Sequence, residues 1–258
     1  MKSKILISTG GSGGHVIPAI TMYDHLKENY DVLISSDVRG LKYLDDKFYK
    51  ILVIDTPKLN NLILFPLSIL KVFFLVLKSL IILKKEKIRT LISTGGYMSL
   101  PLCIAAWILN IKIYLLEPNM VIGRANKFFL NFCEKIICYS NNIIKFPNKY
   151  KNKIVISNPL IRNKYYKKNS KENIDKVFTL MIVGGSQGAK IFDEIIHESI
   201  VKISQTTPIK IIHQTNKKNI DFLRNFYFSL DSSLNLVDDN LLQEINVFGI
   251  KFLYIRYA

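Results

Sequence analysis

Acidic residues, cysteine and uninterrupted apolar length are all scarce in this chain of 258 residues. Only 20 Asp and Glu stand against 36 Lys and Arg, a formal net charge of +16. That balance excludes an acidic solvating tail and implies an anionic partner or surface. A compositional bias toward Lys, Ile and Asn is the alternative source of the charge, and it requires no partner. Cys103, Cys133 and Cys138 are an odd number without metal-ligand spacing. A disulfide framework is excluded, and the three are expected to be buried thiols in a reducing compartment. Lys2 and Lys4 precede only three apolar residues before Ser8-Thr9-Gly10, too few for the apolar core of a secretory leader, so a cytoplasmic protein is expected.

The longest apolar stretch, Leu62 to Leu83, is broken by Pro66, Lys71 and Lys78. A charge near the bilayer centre costs about 2.5–3.5 kcal/mol on insertion scales, so two lysines disfavour a span. Lys71, Lys78 and Lys85 recur every seven residues and share one helical face. This pattern fits a helix lying in anionic headgroups, or a core helix with a thin solvent face. Aromatic residues do not interleave with the basic ones as in a base-stacking platform, so no nucleic-acid partner is expected.

What the chain does have is glycine at strand ends. Ile5-Leu6-Ile7 reads as a buried parallel strand running into Gly10-Gly11-Ser12-Gly13-Gly14-His15, with Pro18 in the first turn of the following helix. Such a turn lets backbone N–H groups and a helix N-terminus approach an anion, although a tight strand-to-helix corner alone would also use glycine. Ser93-Thr94-Gly95-Gly96 repeats Ser8-Thr9-Gly10-Gly11, and a further corner, Gly184-Gly185-Ser186-Gln187-Gly188-Ala189, follows the apolar run Val177–Val183. Val16 replaces the third glycine of a dinucleotide fingerprint, and no Gly-Lys pair completes a P-loop. Asp37 sits where a ribose-binding acid would, and is read as a solvated strand-end acid.

Strands are predicted at 4–8, 31–35, 51–54, 90–93, 112–116, 135–138 and 153–156, with helices between them, which is a doubly wound α/β domain over residues 1–161. The lysine-rich run 162–176 is the expected linker to a second domain, 177–258. That domain has strands at 177–183 and 210–213 and too few residues for a comparable sheet. The end, Phe252-Leu253-Tyr254-Ile255-Arg256-Tyr257, reads as an apolar, basic tail without a turn or cap.

Together with Gly95-Gly96-Tyr97-Met98-Ser99 and Glu117-Pro118-Asn119, the two main glycine corners resemble the MurG family of bacterial peptidoglycan transferases over about residues 4–239. The resemblance implies two Rossmann-like domains of GT-B type, the second incomplete here. It also implies transfer of N-acetylglucosamine from UDP-N-acetylglucosamine to an undecaprenyl-diphosphate-linked N-acetylmuramoyl pentapeptide. The implied place is the cytoplasmic face of the bacterial plasma membrane, held peripherally. Acceptor and anionic membrane fall to the first domain and donor to the second, with neither metal nor cofactor.

His15 is the implied base that deprotonates the acceptor hydroxyl, or else a helix-start residue bonding carbonyls. Ser12, Gly13 and Gly14 are implied near the donor diphosphate and acceptor, and Asn119 in the donor–acceptor cleft. Arg162 is implied at the diphosphate, Ser186 at the later corner and Val237 facing uracil. Three departures stand beside these matches. Leu116 replaces a family histidine, and Asn158-Pro159-Leu160-Ile161-Arg162 is one residue longer than the family's segment. After Asp239 the family's ribose glutamate and glutamine pair are missing, and Asn240–Ala258 reads as unrelated to the family, as a frameshifted or prematurely ended reading frame would. The alternative function is therefore an inactive acceptor- and membrane-binding module.

Overall fold

The protein is described by a computed structural model that covers residues 2–57, 65–161, 178–184, 190–207, 209–215, 218–234, 242–247 and 250–256. The chain divides into two compact units, Met1–Lys168 and Asn169–Ala258. The expected linker, 162–176, lies outside the described residues.

In the first unit the elements run β1 (Lys4–Ser8), α1 (Gly13–Leu26), β2 (Asp31–Ser36), β3 (Ile51–Val53), α2 (Phe65–Lys85), β4 (Thr90–Ser93), α3 (Leu100–Ile108), β5 (Lys112–Glu117), α4 (Arg124–Phe129), β6 (Lys135–Cys138) and β7 (Ile154–Ile156). All seven strands are parallel, in the order β3-β2-β1-β4-β5-β6-β7. The strand order reverses between β1 and β4. In such sheets the crevice beyond the carboxyl ends of those two strands is where ligands bind.

Alternation along β1 shows why the sheet carries helices on both faces. Ile5 and Ile7 pack with Ala19, Met22 and Tyr23 of α1, whereas Leu6 packs with Val76 and Leu83 of α2 and with Leu102 and Ala106 of α3. Burial on both faces makes the parallel strands read as short continuous apolar runs. All three cysteines are free and buried within the second of these clusters, as expected.

Two local expectations change. Pro18 is the sixth residue of α1, not part of its first turn, because the helix starts at Gly13 behind the N-cap Ser12. Its missing N–H leaves the Gly14 carbonyl without an intrahelical donor. Asp37, expected to be solvated, is fully buried.

In the second unit β8 (Phe178–Ile182), α5 (Lys190–Ile195), α6 (His197–Ser204), β9 (Ile209–Thr215), α7 (Ile220–Leu234), β10 (Leu242–Val247) and β11 (Ile250–Arg256) follow. The sheet order is β10-β11-β9-β8. Strands β8 and β9 are parallel, the start of a βαβ unit, but β11 pairs antiparallel with both β9 and β10. The predicted tail is thus a strand: Leu253 pairs with His213 and Ile255 with Ile211. Ile182, Ile200, Ile209, Ile211, Leu223 and Tyr227 form this unit's core.

Candidate active site at the paired glycine corners

The two corners of the first unit are fastened at the strand order reversal. Thr94 N–H donates to the Ser8 carbonyl (3.0 Å), and Thr94 Oγ1 donates to Thr9 Oγ1 (2.9 Å). Sheet register thus continues one residue beyond β1 and β4. Gly96, at φ 81°, lies in the left-handed region, and a Cβ there would collide with the Met98 thioether and come within 3.6 Å of His15 Nε2. The left-handed φ and the Met98 contact make glycine the fitting residue at this corner, while the approach to His15 is an ordinary van der Waals distance.

His15 stands in the first turn of α1, and its Nδ1 lies 2.7 Å from the Thr94 carbonyl oxygen. A carbonyl can only accept, so Nδ1 carries the hydrogen and Nε2 keeps its lone pair in the neutral ring. His15 lines a cavity of about 750 Å³ together with Tyr97, Leu100, Asn119, Asn126 and Phe128, among others. Hydrophobic and polar walls thus meet at one imidazole. Burial pushes the Tyr97 hydroxyl above its ordinary range.

Glu117 organises the opposite wall. It ends β5, is buried, and accepts from Asn119 Nδ2 (3.0 Å), Gly123 N–H (2.7 Å) and Asn126 Nδ2 (3.0 Å). Because its carboxamide nitrogen is occupied by this carboxylate, Asn119 has its carbonyl oxygen available for a ligand. Asn126 is 3% exposed, and among the described residues its Oδ1 has no hydrogen-bond partner.

The structure therefore brings His15 and Asn119 to one cavity. Ser12 caps α1 without a side-chain hydrogen bond, and its carbonyl takes the His15 and Val16 N–H groups. Gly13 and Gly14 keep the N–H groups that helix geometry leaves without an acceptor. Gly11 differs, since its N–H already donates to Asp37 Oδ1 (2.7 Å). Arg162, Ser186 and Val237 lie outside the described residues. Sequence reasoning assigned no role to Glu117 or Asn126. The available signal was a carboxylate closing a parallel strand just before a Pro-Asn turn.

Around the corner that holds Ser186, Gly184 N–H donates to Gln214 Oε1 (3.0 Å). Asp193 is buried and accepts from Thr215 Oγ1 (2.9 Å) and Asn219 Nδ2 (2.6 Å), with His213 Nε2 at 3.2 Å. These contacts tie α5 to the end of β9.

Residues 5–138 match the family model of the glycosyltransferase family 28 N-terminal domain. An N-acetylglucosamine transferase of Pelagibacter ubique, named for an N-acetylmuramyl-(pentapeptide) pyrophosphoryl-undecaprenol acceptor, is 51% identical over 88% of this chain and 64% of its own length. The enzyme of the same name from Rickettsia canadensis is 32% identical over 92% of this chain and 69% of its own length. The chain thus spans about two thirds of the length of these relatives. The crystal structure of Acinetobacter baumannii MurG superposes with a TM-score of 0.67 at 23% identity, over 88% of this chain and 65% of that one. A glycosyltransferase of Rickettsia africae gives 0.63 at 16% identity, over 91% and 66%. Both show the shared fold.

Proposed function

The chain belongs to glycosyltransferase family 28, among its MurG-type N-acetylglucosamine transferases, and we propose that it serves transfer of N-acetylglucosamine from UDP-N-acetylglucosamine to an undecaprenyl-diphosphate-linked N-acetylmuramoyl pentapeptide. The observation that carries this reading is the 2.7 Å contact of His15 Nδ1 with the Thr94 carbonyl. It leaves Nε2 as a base at a cavity with both apolar and polar walls. In the proposed reaction the acceptor hydroxyl gives its proton to Nε2 as its oxygen attacks the anomeric carbon, and UDP leaves from the opposite side. Asn119 aligns the sugar, and the N–H groups of Gly13 and Gly14, beside Ser12, face a diphosphate. Donor contacts are proposed for Arg162, Ser186 and Val237.

Peripheral attachment to the cytoplasmic face of the plasma membrane is proposed for the same unit. On α2, Leu67, Leu70, Phe73, Phe74, Leu77 and Ile81 form an exposed stripe, and the exposed Lys71, Lys78 and Lys85 run along its edge. The opposite face packs into the core through Val76 and Leu83, which is compatible with a lipid-facing stripe on the exposed side. Trp107, half exposed, lies tilted against Phe132 with ring centres 4.7 Å apart and adds an interfacial aromatic group. Among the described residues no helix is long and apolar enough to cross a membrane.

Transfer is tested by incubating the chain with vesicles that contain the lipid-linked acceptor and radiolabelled UDP-N-acetylglucosamine. Label in the lipid fraction is expected. A folded chain that binds acceptor but transfers no label would be an acceptor- and membrane-binding module instead.

A further inference from the structure

We infer that Asp37 and Arg39 are a positioning pair that sets the first glycine corner, and through it His15, against the second. Asp37 follows β2 and is fully buried. Its Oδ1 accepts the N–H groups of Gly11 (2.7 Å) and Gly40 (3.0 Å), and its Oδ2 accepts Arg39 Nε (2.9 Å) and Nη2 (2.5 Å). Four donors fill one carboxylate. The Arg39 guanidinium also lies 5.0 Å from the centre of the Tyr97 ring, and Tyr97 directly follows Gly96 and lines the cavity with His15. One side-chain pair therefore touches the turn after β1, the turn after β2 and the turn after β4.

The glycine geometry shows how closely these parts meet. Gly10 has φ +147°, and a Cβ there would come within 2.5 Å of Asp37 Oδ1. The Gly11 N–H is occupied by Asp37 Oδ1, so this contact acts on the shape of the corner. His15 follows four residues later with its ring on Thr94. A shift of the first corner relative to the second must alter that contact.

Two guanidinium N–H groups converge on Oδ2 while Oδ1 takes the two backbone N–H groups, so each carboxylate oxygen is held from a different part of the site, and a single lysine donor cannot reproduce the Nε and Nη2 pair. The carboxylate also explains why the pair cannot be halved. Removal of Arg39 alone leaves a buried charge held by two backbone N–H groups.

The test uses the full chain and three variants: Arg39→Met, Arg39→Lys and the double variant Asp37→Asn/Arg39→Met. The double variant removes both charges and separates positioning from charge burial. Long-range 1H–15N spectra of the His15 ring, assigned with His15→Gln, report which nitrogen carries the hydrogen. Nanodiscs with and without the undecaprenyl-diphosphate-linked acceptor report affinity, a readout that rests on the function proposed above. The native chain is expected to show hydrogen on Nδ1 and a bare Nε2. Arg39→Met and the double variant are expected to show a mixture of tautomers and about tenfold weaker acceptor binding, the equivalent of about 1.4 kcal/mol. Arg39→Lys should fall between them and the native chain.

A folded variant set with the native His15 spectrum and native affinity would overturn the inference. So would a double variant that restores both, because the pair would then act only by neutralising charge. Failure of the native chain to bind acceptor discs would strike the proposed function, while the ring spectra would still decide the pair.

Discussion

His15 and Thr94 are joined side chain to backbone across two glycine corners, with Nδ1 of the imidazole 2.7 Å from the carbonyl oxygen. This contact fixes the tautomer, and the tautomer fixes which nitrogen can take a proton. His15→Ala is expected to lower transfer by about 100- to 10,000-fold, the usual contribution of a positioned acid–base group. The ring is only partly buried, so the melting temperature should stay close to native. Radiolabel transfer and a thermal melt check both statements, and near-native turnover in a folded variant would remove His15 from the chemistry.

Attachment to lipid should depend on charge and on the α2 stripe together. Each lysine near an anionic bilayer contributes about 1 kcal/mol, so changing Lys71, Lys78 and Lys85 to glutamate should weaken partitioning by about 100-fold or more. Lys71 also faces Asp55 at 3.9 Å with both side chains half exposed, a contact worth little in water. Its share should therefore stay close to that of the other two. Co-sedimentation with phosphatidylglycerol vesicles at rising salt measures this, and insensitivity to both salt and substitution would leave α2 as a core helix only.

The buried thiols make stability fall at alkaline pH. Burial pushes the Cys103 and Cys138 thiols up from their ordinary range to about 12. A raised thiol binds its proton more tightly in the folded state than in the unfolded state. The contribution is therefore complete below pH 9 and is lost as pH rises toward 12. Urea midpoints measured across that window should decline. At neutral pH, iodoacetamide should label the native chain only as it unfolds; rapid labelling of the folded protein would show that these groups are accessible.

Lys153 closes the end of α4. Its Nζ donates to the carbonyls of Leu130 (2.9 Å), Asn131 (3.2 Å) and Cys133 (2.6 Å), which complements the negative end of the helix. Lys153→Met keeps the aliphatic stem and removes the charge. A destabilisation of about 1–3 kcal/mol is expected from hydrogen bonds to a charged donor, toward the lower end because the site is partly solvated. Denaturant unfolding checks it, and an unchanged midpoint would show that water replaces the ammonium fully.

The parallel sheet was legible in the sequence because each buried strand is a short apolar run stopped by glycine or a polar turn. Strands β1, β4 and β6 fall on their predicted residues. His15 was singled out by the glycine loop around it and Asn119 by the family resemblance, and the fold brings both to one cavity. The site was not legible where role depends on enclosure. Asp37 has the composition of a solvated strand-end acid, and only closure by Gly11, Gly40 and Arg39 makes it a buried hub. Likewise, β11 is a nearly continuous apolar run whose antiparallel partner β9 lies about 40 residues earlier, and no local periodicity encodes that pairing.

The central claim, that the paired glycine corners hold a lipid-linked diphosphate sugar beside His15, is tested most directly by equilibrium binding of the chain to nanodiscs with and without undecaprenyl-diphosphate-linked N-acetylmuramoyl pentapeptide. At constant anionic lipid, the account predicts at least about tenfold tighter binding to acceptor discs, one contact's worth of free energy. It also predicts that Asn119→Ala abolishes the difference. Equal binding to both kinds of disc would contradict the account and leave this unit a membrane-surface domain without an acceptor site.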